Sequence, residues 1–206
     1  MLRAGLTVLL GRGGYQVVAA AGDADELLAS ATDTLPRVVV TDARLRHDLP
    51  DEGVTAALRL HEKVPDLGIL VLAESVDTAY AARLFGSTGT GGLGYLLKER
   101  VRDVAHFLDV VGRVATGEVV LDPDVVRSMV GRPHDPAVIS ALSLRELEIL
   151  HMMATGLPDR TIAGRLFIKE AELLAHVGEI FLKLGLPTEV EARRRPAPLT
   201  HLRPAG

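Results

Sequence analysis

Apolar residues recur through the first two-thirds of the chain in two alternating rhythms. Short runs rich in Val, Ile and Leu, namely YQVVAA (15–20), RVVVTD (37–42), GILVLA (68–73) and GYLLK (94–98), are bounded by turn residues and read as strands. Between them lie segments whose apolar positions fall three and four residues apart. These read as helices over Leu2 to Leu10, Ala24 to Leu35, Glu52 to Val64, Asp77 to Phe85 and Val101 to Ala115. Asp23 supplies an N-cap for the second helix, Pro36 ends it, and Gly117 closes the last. Strands that alternate with helices of this length mean βαβ units, and so a parallel sheet covered on both faces.

Beyond Gly117 the rhythm becomes purely helical. Asp122-Pro123 opens a short helix to about Val130, and GRPHDPA (131–137), with two prolines and no apolar period, reads as a linker. Ser143 and Glu146 form a capping box for a helix that runs to Thr155 and stops at Gly156. Pro158 suits the first turn of a second helix to about Phe167, and Lys169 to Leu184 makes a third, closed by Gly185. Leu150, Ile162, Leu166, Leu173, Val177 and Ile180 form the inner stripe of this unit. Helix, short turn and helix outline a DNA-binding module. Thr188 to Arg195 can begin a further helix, but Pro196 and Pro198 end it early. The expected division is an α/β domain over 1–118, a linker with a short helix over 119–139, a helix-turn-helix over 140–187 and a mobile tail over 188–206.

Composition narrows the chemistry. The 206 residues include no cysteine, which excludes disulfides, thiolate metal sites and thiol catalysis together. With four Phe, three Tyr and no Trp, the core must be aliphatic. No apolar run reaches the roughly 18 residues of a membrane span, and no signal-peptide pattern is present, so a cytoplasmic location without membrane contact is expected. The net charge of −4 is unevenly split: residues 1–130 carry 13 Lys/Arg against 18 Asp/Glu, and residues 138–206 carry nine against eight. That slight positive balance has the sign of a DNA-binding lobe and little of its usual strength. Gly89 to Gly94 matches G-x-G-x-x-G, yet it follows a helix and opens a strand, the reverse of a dinucleotide site. The seven histidines are dispersed, and neither a P-loop nor a G-x-S-x-G elbow occurs, so no enzyme activity is expected.

Asp42 ends a buried β-branched run, and a carboxylate at the C-terminal end of a parallel strand stands where such sheets place their sites. With GYLLK after a glycine loop, VLDPDVV, and then LSLRELEILHMMATGL, IAGRLFI, HV and IFLKLGL, the chain resembles two-component response regulators of the NarL/FixJ class. The resemblance covers nearly the whole chain except the last fifteen or so residues. It implies a fold of α/β plus all-α type, a flavodoxin-like parallel-sheet receiver followed by a small LuxR-type helix-turn-helix. It implies that Asp42 is the phosphoacceptor, that Lys98 pairs with the phosphoryl group, and that Tyr95 is the aromatic switch position. Ala73 stands at the position where the family has a Ser or Thr.

Two departures accompany it. The family's first strand, with its acidic pair for Mg²⁺, should precede the helix at Leu2, where this chain begins. Asp42 is then the only remaining metal candidate, and no metal or other cofactor is expected unless an acidic pair lies upstream, through a start assigned too late rather than a degenerate receiver. In the 2-1-3-4-5 strand order of this fold the loss would leave strands 15–20 and 37–42 paired directly or separated by a gap. The second departure is the recognition helix, in which Lys169 and Lys183 face Glu170, Glu172 and Glu179. Arg160, Arg165, Lys169 and His176 are the expected DNA contacts. The resemblance implies a phosphorelay-controlled transcription factor with double-stranded DNA, a sensor histidine kinase and a second copy of itself as partners. The competing expectation is a degenerate receiver that serves as a protein–protein interaction module, without DNA binding or phosphorylation.

Overall fold

The computed structural model describes residues 2–45, 51–85, 91–131 and 141–184. In chain order these form α1 (Leu2–Arg12), α2 (Ala24–Thr34), β1 (Val38–Asp42), α3 (Glu52–Lys63), β2 (Gly68–Ala73), α4 (Thr78–Phe85) and β3 (Leu93–Leu97). A 3-10 turn (Lys98–Arg102), α5 (Val104–Ala115), β4 (Val119–Leu121) and α6 (Pro123–Gly131) follow. The C-terminal lobe holds α7 (Leu144–Ala154), α8 (Asp159–Leu166) and α9 (Glu170–Lys183).

The strands pair in parallel in the order β1-β2-β3-β4, with Val40 opposite Leu70, Leu70 opposite Gly94 and Tyr95 opposite Leu121. Alternation sends Val39, Ile69, Val71 and Tyr95 into a cluster with α3 and α4. It sends Leu70, Leu72, Leu96 and Val120 against Phe107, Val110 and Val114 of α5 on the other face. Every residue of β2 and β3 is buried, which is why these two strands read as unbroken apolar runs.

Four expectations need correction. Residues 15–20 form no strand, and Val17 and Val18 are exposed: β propensity without a neighbouring ladder does not make a strand. Neither direct pairing with β1 nor a two-strand arrangement across a gap is seen there. Lys98 is not the last residue of β3 but opens the 3-10 turn, and the following helix starts at Val104, not Val101, because the Asp103 side chain caps it at the His106 amide. Val119–Leu121, expected in a linker, is the fourth strand; three buried apolar residues suffice because β3 supplies the ladder.

The sheet and the helical lobe share one apolar cluster, which runs from Val39 through Phe85 and Met129 to Ile149, Phe181 and Leu184. The rings of Phe85 on α4 and Phe181 on α9 stack with centroids 5.2 Å apart. Within the lobe, Ser143 and Glu146 form the expected capping box, and the buried Glu146 carboxylate also receives the Lys183 ammonium at 2.7 Å and 2.8 Å. Burial works to raise the Glu146 pKa, but Lys183 and Ser143 outweigh it and hold the carboxyl below its ordinary range. The turn between α8 and α9 passes through Phe167 in the left-handed region (φ 55°), with its ring exposed. Most of the 131–137 linker, Gly89 and Thr90, the stretch Thr188 to Arg195 and the tail lie outside the described residues.

Candidate functional site

The C-terminal ends of β1, β2 and β3 bring Asp42, Ala73 and Lys98 onto one rim of the sheet. Asp42 lies opposite Leu72, and Ala73 opposite Leu97, one residue before Lys98. The Asp42 Oδ2 atom stands 2.7 Å from Lys98 Nζ, and both side chains keep about a quarter of their surface exposed, at 23% and 25%. The other carboxylate oxygen, Oδ1, accepts the Arg44 amide at 3.0 Å, so the β1-to-loop turn itself fixes the carboxyl. α3 starts directly over this point. The Gly53 amide donates to the Ala43 carbonyl, and a methyl group at Gly53 would lie 1.7 Å from the Asp42 carbonyl oxygen, so only glycine permits the approach.

A second carboxylate, missed from the sequence, completes the cluster. Glu74 Oε2 lies 2.8 Å from the same Lys98 ammonium. The rule that singled out Asp42 applies to it equally, since Glu74 directly follows the GILVLA strand. Burial opposes the charge on Lys98, but the two carboxylates more than offset that and raise its pKa above the ordinary value. Lys98 in turn lowers the pKa of the exposed Glu74. Among the described residues, the Lys98 ammonium thus stands between two carboxylates, and both are committed to it. The described residues around Asp42 do not fit a divalent-cation clamp, since both carboxylates there are paired with Lys98. Among the described residues, the one group of three metal-ligand types that converges is Glu146, His176 and Glu179, where Lys183 already neutralises Glu146.

Ala73 and Tyr95 are buried, and burial pushes the Tyr95 phenol pKa up. Tyr95 belongs to the α3–α4 side of the core, not to the surface rim. Its carbonyl accepts the Asp122 amide at 2.8 Å, at the junction of β4 and α6. The fully buried Asp122 carboxylate takes the Leu97 amide at 3.1 Å and the Arg100 Nε at 3.2 Å, which ties the residue before Lys98 to the start of α6. Asp122 lies inside the VLDPDVV motif, which gave it no role. Its position before Pro123 at a helix start was a further signal.

On the helical lobe, Arg160, Arg165 and Lys169 are exposed and His176 is half-buried, with Nδ1 4.0 Å from Glu179 Oε2. Glu170, Ala171, Glu172 and Ala175 share the exposed side of α9, while Leu173, Val177, Ile180 and Phe181 face inward. The four expected DNA contacts are thus not buried, and Lys169 and His176 have acidic neighbours in Glu170 and Glu179.

Comparison with known proteins agrees with this architecture. Residues 140–195 match the family described as bacterial regulatory proteins, luxR family. The oxygen regulatory protein NreC of Staphylococcus haemolyticus is 30% identical over 203 residues, a stretch that covers 93% of this chain and 89% of the relative. The chain is a response regulator of the NarL/FixJ class. The nitrate/nitrite response regulator protein homolog of Haemophilus influenzae is 28% identical over 178 residues, or 86% of this chain and 82% of that protein. The Salmonella typhimurium response regulator RcsB shares the fold, with a TM-score of 0.53 at 19% identity over 92% of this chain and 89% of RcsB. No described helix of this response regulator is long and apolar enough to cross a membrane.

Proposed function

We propose that this response regulator is a cytoplasmic transcription factor, not an enzyme with a substrate of its own. Its α8–α9 unit binds double-stranded DNA, and its α/β lobe, which extends through Leu121, controls that binding. The observation that carries the reading is the 2.7 Å contact between Asp42 and Lys98 at the strand ends. An Asp42 carboxylate oxygen attacks the phosphorus of a phosphodonor, a sensor histidine kinase in the cell. The bond from phosphorus to the donor breaks, its electron pair leaves with the donor, and an acyl phosphate forms. Lys98 then faces phosphoryl oxygens in place of a carboxylate. Ala73 contributes no hydroxyl, so the ammonium carries the charge stabilisation without that help.

The signal has a short route to the DNA-binding helix. α4 begins five residues after Ala73 and ends in Phe85, against which Phe181 of α9 stacks. A shift of Lys98 also moves the Asp122 anchor of α6. Either displacement loosens α9, and the freed lobe pairs with a second copy on DNA.

Two measurements test this. A small-molecule phosphodonor should label the protein and leave Asp42→Asn unlabelled; equal labelling of the variant rejects Asp42. Binding to random duplex DNA at low salt should show a salt slope that falls by about one for each of Arg160→Ala, Arg165→Ala and Lys169→Ala. Absence of binding at low salt favours the interaction-module reading, for which the acidic face of α9 is the specific support.

A further inference from the structure

The contact between the lobes contains a buried carboxyl that neither phosphorylation nor DNA binding uses. β4 pairs with β3 on one side, and on the other the Val119 amide donates to Asp159 Oδ2 at 2.7 Å. Asp159 opens α8, so an acid from the helical lobe satisfies a backbone donor at the sheet edge. It is 4% exposed. We infer that Asp159 is a proton-operated latch: protonated, it seals the helical lobe onto the β4 edge, and ionised, it weakens that seal.

The surroundings determine the direction. Arg113 of α5 is the cation nearest in effect, but its guanidinium is 2.9 Å from Glu118 Oε2 and is largely committed there. Glu118 beside β4 and Glu170 on α9 are like charges, and His106 of α5 lines the same small cavity as Asp159. α7 presents only Met153, with Gly156 and Leu157 just beyond it, to that cavity. A single amide and a guanidinium already paired with Glu118 do not replace the water lost on docking. Burial therefore pushes the carboxyl up to about 7, with the Val119 amide and Arg113 offsetting only part of it.

When the lobes separate, Asp159 is solvated in the first turn of a helix, where a carboxylate is favoured. The closed form thus binds the extra proton, and closure strengthens as pH falls from above 7 toward the ordinary carboxylate range. With a closed-state value of about 7, the closed-to-open ratio rises roughly tenfold between pH 8 and pH 6. The inference rests on the two-lobe geometry and not on DNA recognition.

The test reads closure directly. The chain has no cysteine, so Glu62→Cys on α3 and Glu148→Cys on α7, both exposed, give clean sites for a dye pair on the full chain. Fluorescence transfer should report a closed fraction that rises from pH 8 to pH 6. Asp159→Asn keeps a neutral acceptor for the Val119 amide and should stay closed with a flat profile, as should Asp159→Ser. His106→Asn should retain the wild-type dependence. A wild-type profile that is flat or runs the other way overturns the latch, as does an Asp159→Asn profile that matches the wild type, or loss of the dependence in His106→Asn. Failure of phosphorylation or of DNA binding would leave these readings unaffected.

Discussion

The two edges of the sheet are held in different ways. At the β4 edge, the helical lobe closes over the strand, where Asp159 accepts the Val119 amide. At the β1 edge, α1 buries no residue fully and α2 buries only Ala31. Asp42 stands at the loose edge, and the interlobe contact at the tight one. Sites that must change state are drawn from weakly held regions, while elements that carry a rigid partner are not.

Hydrogen exchange gives the widest separation. Amides of β2, β3 and α5 should exchange only through global unfolding, and those of α1 and α2 several orders of magnitude faster. Uniform protection of both edges would erase the contrast. Next in size, Phe107→Ala should cost roughly 3–5 kcal/mol in urea unfolding, since the ring is fully buried against the sheet. Asp122→Ala leaves the Leu97 amide and Arg100 without their acceptor, and should cost about 3 kcal/mol. A loss below about 1 kcal/mol would show that this network does not hold the β3–α6 junction.

A pH effect on stability comes next. Burial lowers the pKa of His61, inside α3, below its ordinary value of 6.5. The folded state therefore binds fewer protons than the unfolded chain, and this contribution is complete above pH 6.5 and is lost as pH falls from there through the lowered folded-state value. His61→Leu should raise stability at pH 5 relative to pH 8 compared with the wild type, since the opposing Asp159 contribution stays in place, and an unchanged difference would clear His61. Smallest of all, Val18→Ser at the loose edge should stay within about 0.5 kcal/mol of the wild type by the same urea assay.

Where the physics is local, the sequence was legible. GILVLA folds as the strand it spells, Asp23 caps α2 through the Glu26 amide, and Ser143 with Glu146 caps α7. Where a partner decides, the pattern misled or stayed silent. Val17 and Val18 have strand chemistry and no ladder, whereas Val119–Leu121 was assigned to a linker and has one. Asp42 and Lys98 stood out through their resemblance to a known arrangement. Glu74 needed the same strand-end rule applied once more. Asp159 had no signal of its own, because its burial depends on a lobe docking some forty residues of chain away from Val119.

The stack of Phe85 on Phe181 has a calorimetric consequence. Two lobes that share one apolar cluster do not melt independently, so heating the full chain should give a single heat-absorption peak. Any molecule that grips either lobe in the closed form then protects both from heat.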